Sequence, residues 1–194
     1  MDTDLKEPDQ EKLMHLMREF FAQLATGLIE VYNEFSLHHE LGIYLRAKLH
    51  GCKVQFERNV FDLFGSSDGF TKREIDICVF QGDTKLLAIE LKYPRNGQHP
   101  ETIFSFCKDV SFVEQLKARG FKLTAAVFLT DDQNFYRQAP PNGLIYDLFR
   151  AGKPIAGQIQ KPTGKKDEWV SVVGTHVVNW NAMSGAFRYG WVFV

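Results

Sequence analysis

Neither sign of charge dominates this sequence. Lysine and arginine number 23 and aspartate and glutamate 24, a net charge of −1. A balance this even does not mark a nucleic-acid binder, and it does not exclude one, because a local patch or a bound metal can supply the positive field. Cysteine is scarce. Cys52, Cys78 and Cys107 show no CxxC spacing, which points to reduced thiols in a reducing cytosol rather than a disulfide framework. No apolar run approaches the ~18 residues of a membrane span. The start, MDTDLKEPDQEK, has acidic residues and no apolar stretch, so it does not read as a secretory signal. No membrane association and a cytoplasmic location are therefore expected. What is present is an ordinary globular composition: 194 residues, 44% hydrophobic and 13% aromatic. One domain is the default at that length.

Residues 1–10 are polar and contain Pro8; they read as a flexible tail, with a single domain over 11–194. Leu13, Leu16, Met17, Phe20, Phe21, Leu24, Leu28 and Val31 follow helical spacing. A second helical stripe runs through Leu37, Leu41, Tyr44, Leu45 and Leu49 to Gly51. The pattern leaves open whether these are one helix or two. After Gly51 the period becomes two, and Lys53 to Phe61 reads as a strand. Arg73 to Phe80 is a second strand, with Ile75, Ile77 and Val79 on one face. Gln81 to Thr84 forms a hairpin connection. Lys85 to Tyr93 is a third strand, with Leu87, Ile89 and Leu91 on one face. Residues 101–119 form a helix, and the wholly apolar Leu123 to Thr130 suits a buried parallel strand. A final strand runs over 187–193, and Asn142 to Arg150 reads equally as a helical turn or a strand.

Two of these strands carry charge where packing is expected. Glu74 and Asp76 share a face with Cys78 and Phe80; Glu90 and Lys92 share one with Leu86 and Ala88. Faces match in an antiparallel pair only when paired numbers have an even sum. A sum of 166, with Phe80 opposite Leu86, sets Asp76 directly across from Glu90, while a sum of 164 leaves them diagonal. Either register brings two carboxylates together, and like charges facing each other destabilise a sheet. Lys92 can offset one; a divalent cation offsets both. Glu40, one position off the apolar stripe of its helix, is the third candidate carboxylate. His38 and His39 point in different directions and lack the i, i+4 pair of a zinc helix, so surface or supporting roles are expected for them.

Helix, three strands, helix, strand, with Ile-Asp-Ile-Cys-Val on the second strand and Ile-Glu-Leu-Lys-Tyr-Pro on the third, resembles the PD-(D/E)xK nuclease superfamily. The resemblance covers about residues 28–130. It implies an α/β fold with a restriction-endonuclease-like αβββαβ core: a central mixed sheet flanked by helices, with a β-rich C-terminal extension over 131–194. Asp76 matches the motif aspartate, Glu90-Leu91-Lys92 its ExK, Glu40 a helix glutamate and Gln115 a glutamine on the following helix. The sequence departs from the pattern at Ile75, where many members have proline.

The resemblance implies a Mg²⁺-dependent endonuclease acting on nucleic acid, with DNA the expected substrate and Mn²⁺ a substitute ion. Asp76, Glu90 and the Leu91 carbonyl would hold the ion, with Glu40 orienting a metal water or holding a second ion. Lys92 would position the attacking water or stabilise the phosphate, and Gln115 would bond water or phosphate. If Lys92 is to act as a base, burial must lower its pKa. Lys72, Arg73 and Arg95 at the strand ends, and Lys161, Lys165 and Lys166 in a loop, are candidate phosphate contacts. A homodimer or a larger complex is compatible with this reading. The alternative is a catalytically silent nucleic-acid-binding or assembly subunit of a defence or mobile-element complex.

Overall fold

The computed structural model describes residues 10–140, 143–164 and 167–194. The tail 1–9, Asn142, Lys165 and Lys166 lie outside the described residues. Two helices open the chain, α1 (Gln10–Ala25) and α2 (Glu34–Lys48), parted at Gly27, whose φ of 76° ends the first. There follow β1 (Lys53–Asn59), a five-residue helix α3 (Val60–Phe64), β2 (Glu74–Gln81), β3 (Thr84–Lys92), α4 (His99–Ala118) and β4 (Leu123–Thr130). The remainder holds α5 (Leu144–Arg150), β5 (Ile155–Gln160), β6 (Trp169–His176), β7 (Asn179–Ala182) and β8 (Arg188–Phe193). The short helix α3 ends the expected first strand early, because the Asn59 side chain caps the Phe61 N–H at 2.9 Å.

The main sheet has the order β1-β2-β3-β4-β8-β7 and is mixed. α4 carries the chain from β3 to its parallel neighbour β4, so β4 is covered on both sides and buried throughout. The chain after residue 130 returns to this sheet, since β8 pairs antiparallel with β4. The β5–β6 hairpin forms a separate two-stranded sheet. One apolar cluster joins α1 and α2 to one side of the main sheet, where Phe21 stacks on Tyr189 with ring centroids 4.0 Å apart. Two further clusters lie under α4. Among the described residues, no helix is long and apolar enough to cross a membrane.

The β2–β3 hairpin turns through Gly82 and Asp83, with Gly82 at a φ of 56°. Its inner register has the sum 166 (Ile77 opposite Ile89, Val79 opposite Leu87). An irregularity between Val79 and Phe80 sets Phe80 opposite Lys85 instead of the expected Leu86, which shortens the loop to two residues. Ile75 also departs from the expected single apolar face. It packs under α4 with Val60 and Cys78, whereas Ile77 and Val79 pack under α1 and α2. The two-residue alternation therefore breaks at Asp76.

Candidate active site

β2 and β3 part company at Asp76 and Glu90. Ile77 and Ile89 are their last paired residues. Beyond them Ile75 and Glu74 stay paired with β1, and Glu90 to Lys92 stay paired with β4. The carboxylates fill the opening. Glu90 Oε1 accepts from the Asp76 N–H at 3.2 Å, and Asp76 Oδ2 accepts from the Leu91 N–H at 2.7 Å. Each side chain thus takes up a backbone donor that the ladder no longer uses.

Four more acidic or basic side chains converge here. Lys72, on the loop before β2, donates to Glu90 Oε2 and reaches Asp109 Oδ1 at 3.0 Å. Asp109 comes from the buried face of α4, and its Oδ2 lies 3.8 Å from Lys92 Nζ with no hydrogen-bond partner. Glu34, in the first turn of α2, lies 3.4 Å from Lys92 Nζ and accepts from the Tyr93 N–H at 2.9 Å.

His38 follows Glu34 by one turn of α2 and is buried. Its Nδ1 lies 3.4 Å from Glu57 Oε1 and its Nε2 3.6 Å from Asp76 Oδ2, yet neither nitrogen has a hydrogen-bond partner. Glu57 falls opposite Asp76 in the β1–β2 register. Its φ is 49°, the one positive value on a non-glycine residue among those described. Such a backbone costs about 1–3 kcal/mol and collects at functional sites. The close approach of α2 to this strand depends on Gly42, where a Cβ would stand 2.0 Å from the Phe56 ring.

The electrostatics follow from burial. Glu90 is wholly buried, and its pKa is pushed well above the ordinary carboxylate range by desolvation and by Asp76. Asp76 is also raised, chiefly by burial, against the pull of Lys72 and His38. Burial lowers the pKa of Lys92, but Asp109 and Glu34 outweigh it and the net shift is upward. Lys72 behaves likewise. The direction of this shift is opposite to the one that a general base at Lys92 would need.

Glu34, Asp76, Glu90 and Asp109 face Lys72 and Lys92, an excess of two carboxylates, and Glu57 joins the cluster through His38. One ligand atom each from His38, Glu57 and Asp76 lies within 4.8 Å of the others. A divalent ion bonded at ~2.0–2.2 Å fits a set of that span. The partnerless His38 nitrogens and the uncompensated acid charge both fit a bound cation.

Asp76, Glu90 and Lys92 are thus brought together as the sequence suggests. Glu40 is not part of this cluster: it lies about 200° around α2 from His38 and meets His39 Nδ1 at 3.4 Å. Glu34, not Glu40, is the α2 glutamate that lies beside the strands. Gln115 does not reach the carboxylates either. Its amide accepts from the Thr71 N–H and donates to Thr71 Oγ1, both at 2.7 Å, so it fixes the loop that carries Lys72. Arg95 pairs with Asp131 at 2.9 Å and Lys161 with Glu168 at 2.7 Å, while Arg73 lies on the surface.

His38, expected in a surface or supporting role, and Asp109, not singled out from the sequence, are both buried; the signal available for each was a charged or polar side chain on the apolar stripe of its helix, beside Leu41 and Phe106. Glu57 carried no such signal, because its role depends on a backbone angle. A concavity of about 790 Å³ between α5 and the β5–β6 hairpin is lined by Ile145, Leu148, Ile159 and Trp169 and shares no residue with this cluster. No protein-family model, curated protein or solved structure matches the chain, so the reading of the site stands on its geometry.

Proposed function

We propose that this chain is a divalent-metal-dependent phosphodiesterase with a restriction-endonuclease-like core, cutting nucleic acid, with DNA the expected substrate. The observation that carries the reading is the opening between β2 and β3, where Asp76 and Glu90 meet a partnerless His38 and a strained Glu57. His38, Glu57 and Asp76 would hold the ion, with Glu90 beside it. An imidazole among carboxylates shifts the expected ion from Mg²⁺ toward Mn²⁺. When bound, such an ion lowers the pKa of a coordinated water and neutralises phosphate charge.

The chain's own groups supply the rest. The Lys92 ammonium, held by Glu34 and Asp109, is placed to donate to phosphate oxygens as negative charge develops on them. Gln115 keeps Thr71 in place and so fixes Lys72 against Glu90. The packing of α2 and α4 over the sheet buries Glu90 and Asp109, which strengthens the interactions those two carboxylates make.

The test is incubation of plasmid and single-stranded DNA with Mn²⁺, Mg²⁺ or a chelator. Cleavage with the ions, and its loss in Asp76→Asn and Glu90→Gln proteins that keep their fold by circular dichroism, is the expected outcome. Cleavage unaffected by chelator, or undiminished in either variant, overturns the proposal. Lys72 favours a second reading, a silent binding subunit, because an internal ammonium already neutralises Glu90 and Asp109. Under that reading the protein binds nucleic acid and never cuts it.

A further inference from the structure

Tyr32 and Phe35 stand on either side of the Asn33 cap of α2, with their side chains turned to solvent: Tyr32 is 71% exposed and Phe35 78%. The backbone beneath them is pinned. Asn33 Oδ1 accepts from the Ser36 N–H at 2.8 Å, and Ser36 Oγ accepts from the N–H groups of Tyr32 and Asn33 at 2.9 and 3.0 Å. Tyr32 precedes the cap, a position whose apolar side chain often folds onto the fourth helical residue; here that residue, Leu37, is buried while Tyr32 stays in water. Between the two rings Glu34 reaches Lys92 and the Tyr93 N–H. The Phe35 ring centroid lies 6.4 Å from that of His38. The Phe35 ring therefore borders the candidate ligand His38, and the Tyr32 ring is exposed on the same pinned turn.

The charges around the cleft make a complementary point. Arg95 is bonded to Asp131, Lys72 to Glu90 and Asp109, and Lys92 to Glu34, in a chain of net charge −1. Affinity for a duplex comes largely from cations that neutralise phosphates. Single strands also offer open base faces, on which aromatic rings stack with little regard to sequence. In a duplex those faces are covered by neighbouring bases.

Resting on the phosphodiesterase reading, we infer that Tyr32 and Phe35 form a stacking platform for an unpaired base beside the scissile phosphate, so that the preferred substrate is single-stranded nucleic acid. The platform holds the base, and the carboxylate–lysine cluster faces the adjoining phosphate.

The test measures binding of a labelled single-stranded DNA oligonucleotide and of a blunt duplex, with Ca²⁺ as the ion. Proteins compared are wild type, Tyr32→Leu, Phe35→Leu, Tyr32→Trp and Phe35→Trp. Both positions are exposed, so the variants keep the fold. The expected result is tighter binding of the single strand by wild type, about tenfold weaker binding for each leucine variant, and retained binding for each tryptophan variant. Mn²⁺ affinity stays unchanged in all of them. Wild type that binds or cuts nucleic acid while the leucine variants match it overturns the platform and leaves the phosphodiesterase standing. That is the result a protein-docking patch would give, since leucine keeps the apolar surface. Wild type that binds neither strand form removes the phosphodiesterase reading and the platform with it.

Discussion

Asp76 and Glu90 are held by each other's strands: Glu90 accepts from the Asp76 N–H at 3.2 Å, and Asp76 accepts from the N–H of Leu91, next to Glu90, at 2.7 Å. The exchange fixes two acids at the point where β2 and β3 stop pairing. It also confines them in a place where burial raises both pKa values. A cation bound here would favour the ionised carboxylates and so work against the upward shift that burial gives them.

Metal affinity is therefore expected to fall as pH falls. Above the raised pKa values both groups are ionised and ready to bind; below them each binding event releases protons. Mn²⁺ titrations at successively lower pH, in buffers of different ionisation enthalpy, measure both effects. Affinity that rises on acidification contradicts the assignment.

Lys92 is expected to serve as a fixed cation. Lys92→Ala should lower the cleavage rate by about 10²–10³-fold with Mn²⁺ affinity maintained. Because Asp109 and Glu34 keep its pKa high, the rate should show no loss on acidification that traces to Lys92. Single-turnover cleavage against pH checks this, and a general-base limb that vanishes in Lys92→Ala would contradict it.

Asp109 ties Lys72 and Lys92 together from α4. Replacing it by leucine leaves two half-buried ammoniums short of a partner. A loss of about 2 kcal/mol in urea unfolding is expected, with slower cleavage because both lysines lose their anchor. Unchanged stability and unchanged rate together would show that Asp109 carries neither function.

Glu57 trades backbone comfort for position. Glu57→Gly removes the penalty of its 49° φ, so the metal-free protein should gain about 1 kcal/mol while Mn²⁺ binds more weakly. Thermal unfolding with and without Mn²⁺ measures both. A variant that is less stable without metal contradicts the strain argument.

The sequence carried the sheet that frames this site. Period-two apolar residues on β2 and β3 and the unbroken apolar run of β4 gave the strands and the nearness of Asp76 to Glu90, but not the break in alternation at Asp76. The expected boundaries fell within two residues of the observed ones for β2, β3, β4 and α4. What was hidden depended on angles and on distant elements. Glu57 turns on one backbone angle, and the parting of β2 from β3 arises because each keeps its outer neighbour. Glu40 is picked out by its nearness to an apolar stripe, whereas Glu34, which carried no such signal, sits at the helix start, where α2 overhangs the ends of the strands. β5 and β7 are short, and β6, though eight residues long, is half-exposed with only Val170 and Val172 buried, so their apolar alternation was too weak to read.

The most direct measurement is calorimetric titration of Mn²⁺ into wild type, His38→Ala and Asp76→Asn. Wild type should take up the ion, and each variant should bind it at least about tenfold more weakly, as expected when one ligand of a small set is lost. Wild type that binds no ion with single-stranded DNA present, or three proteins that bind it alike, would contradict the claim that these side chains are gathered around a cation.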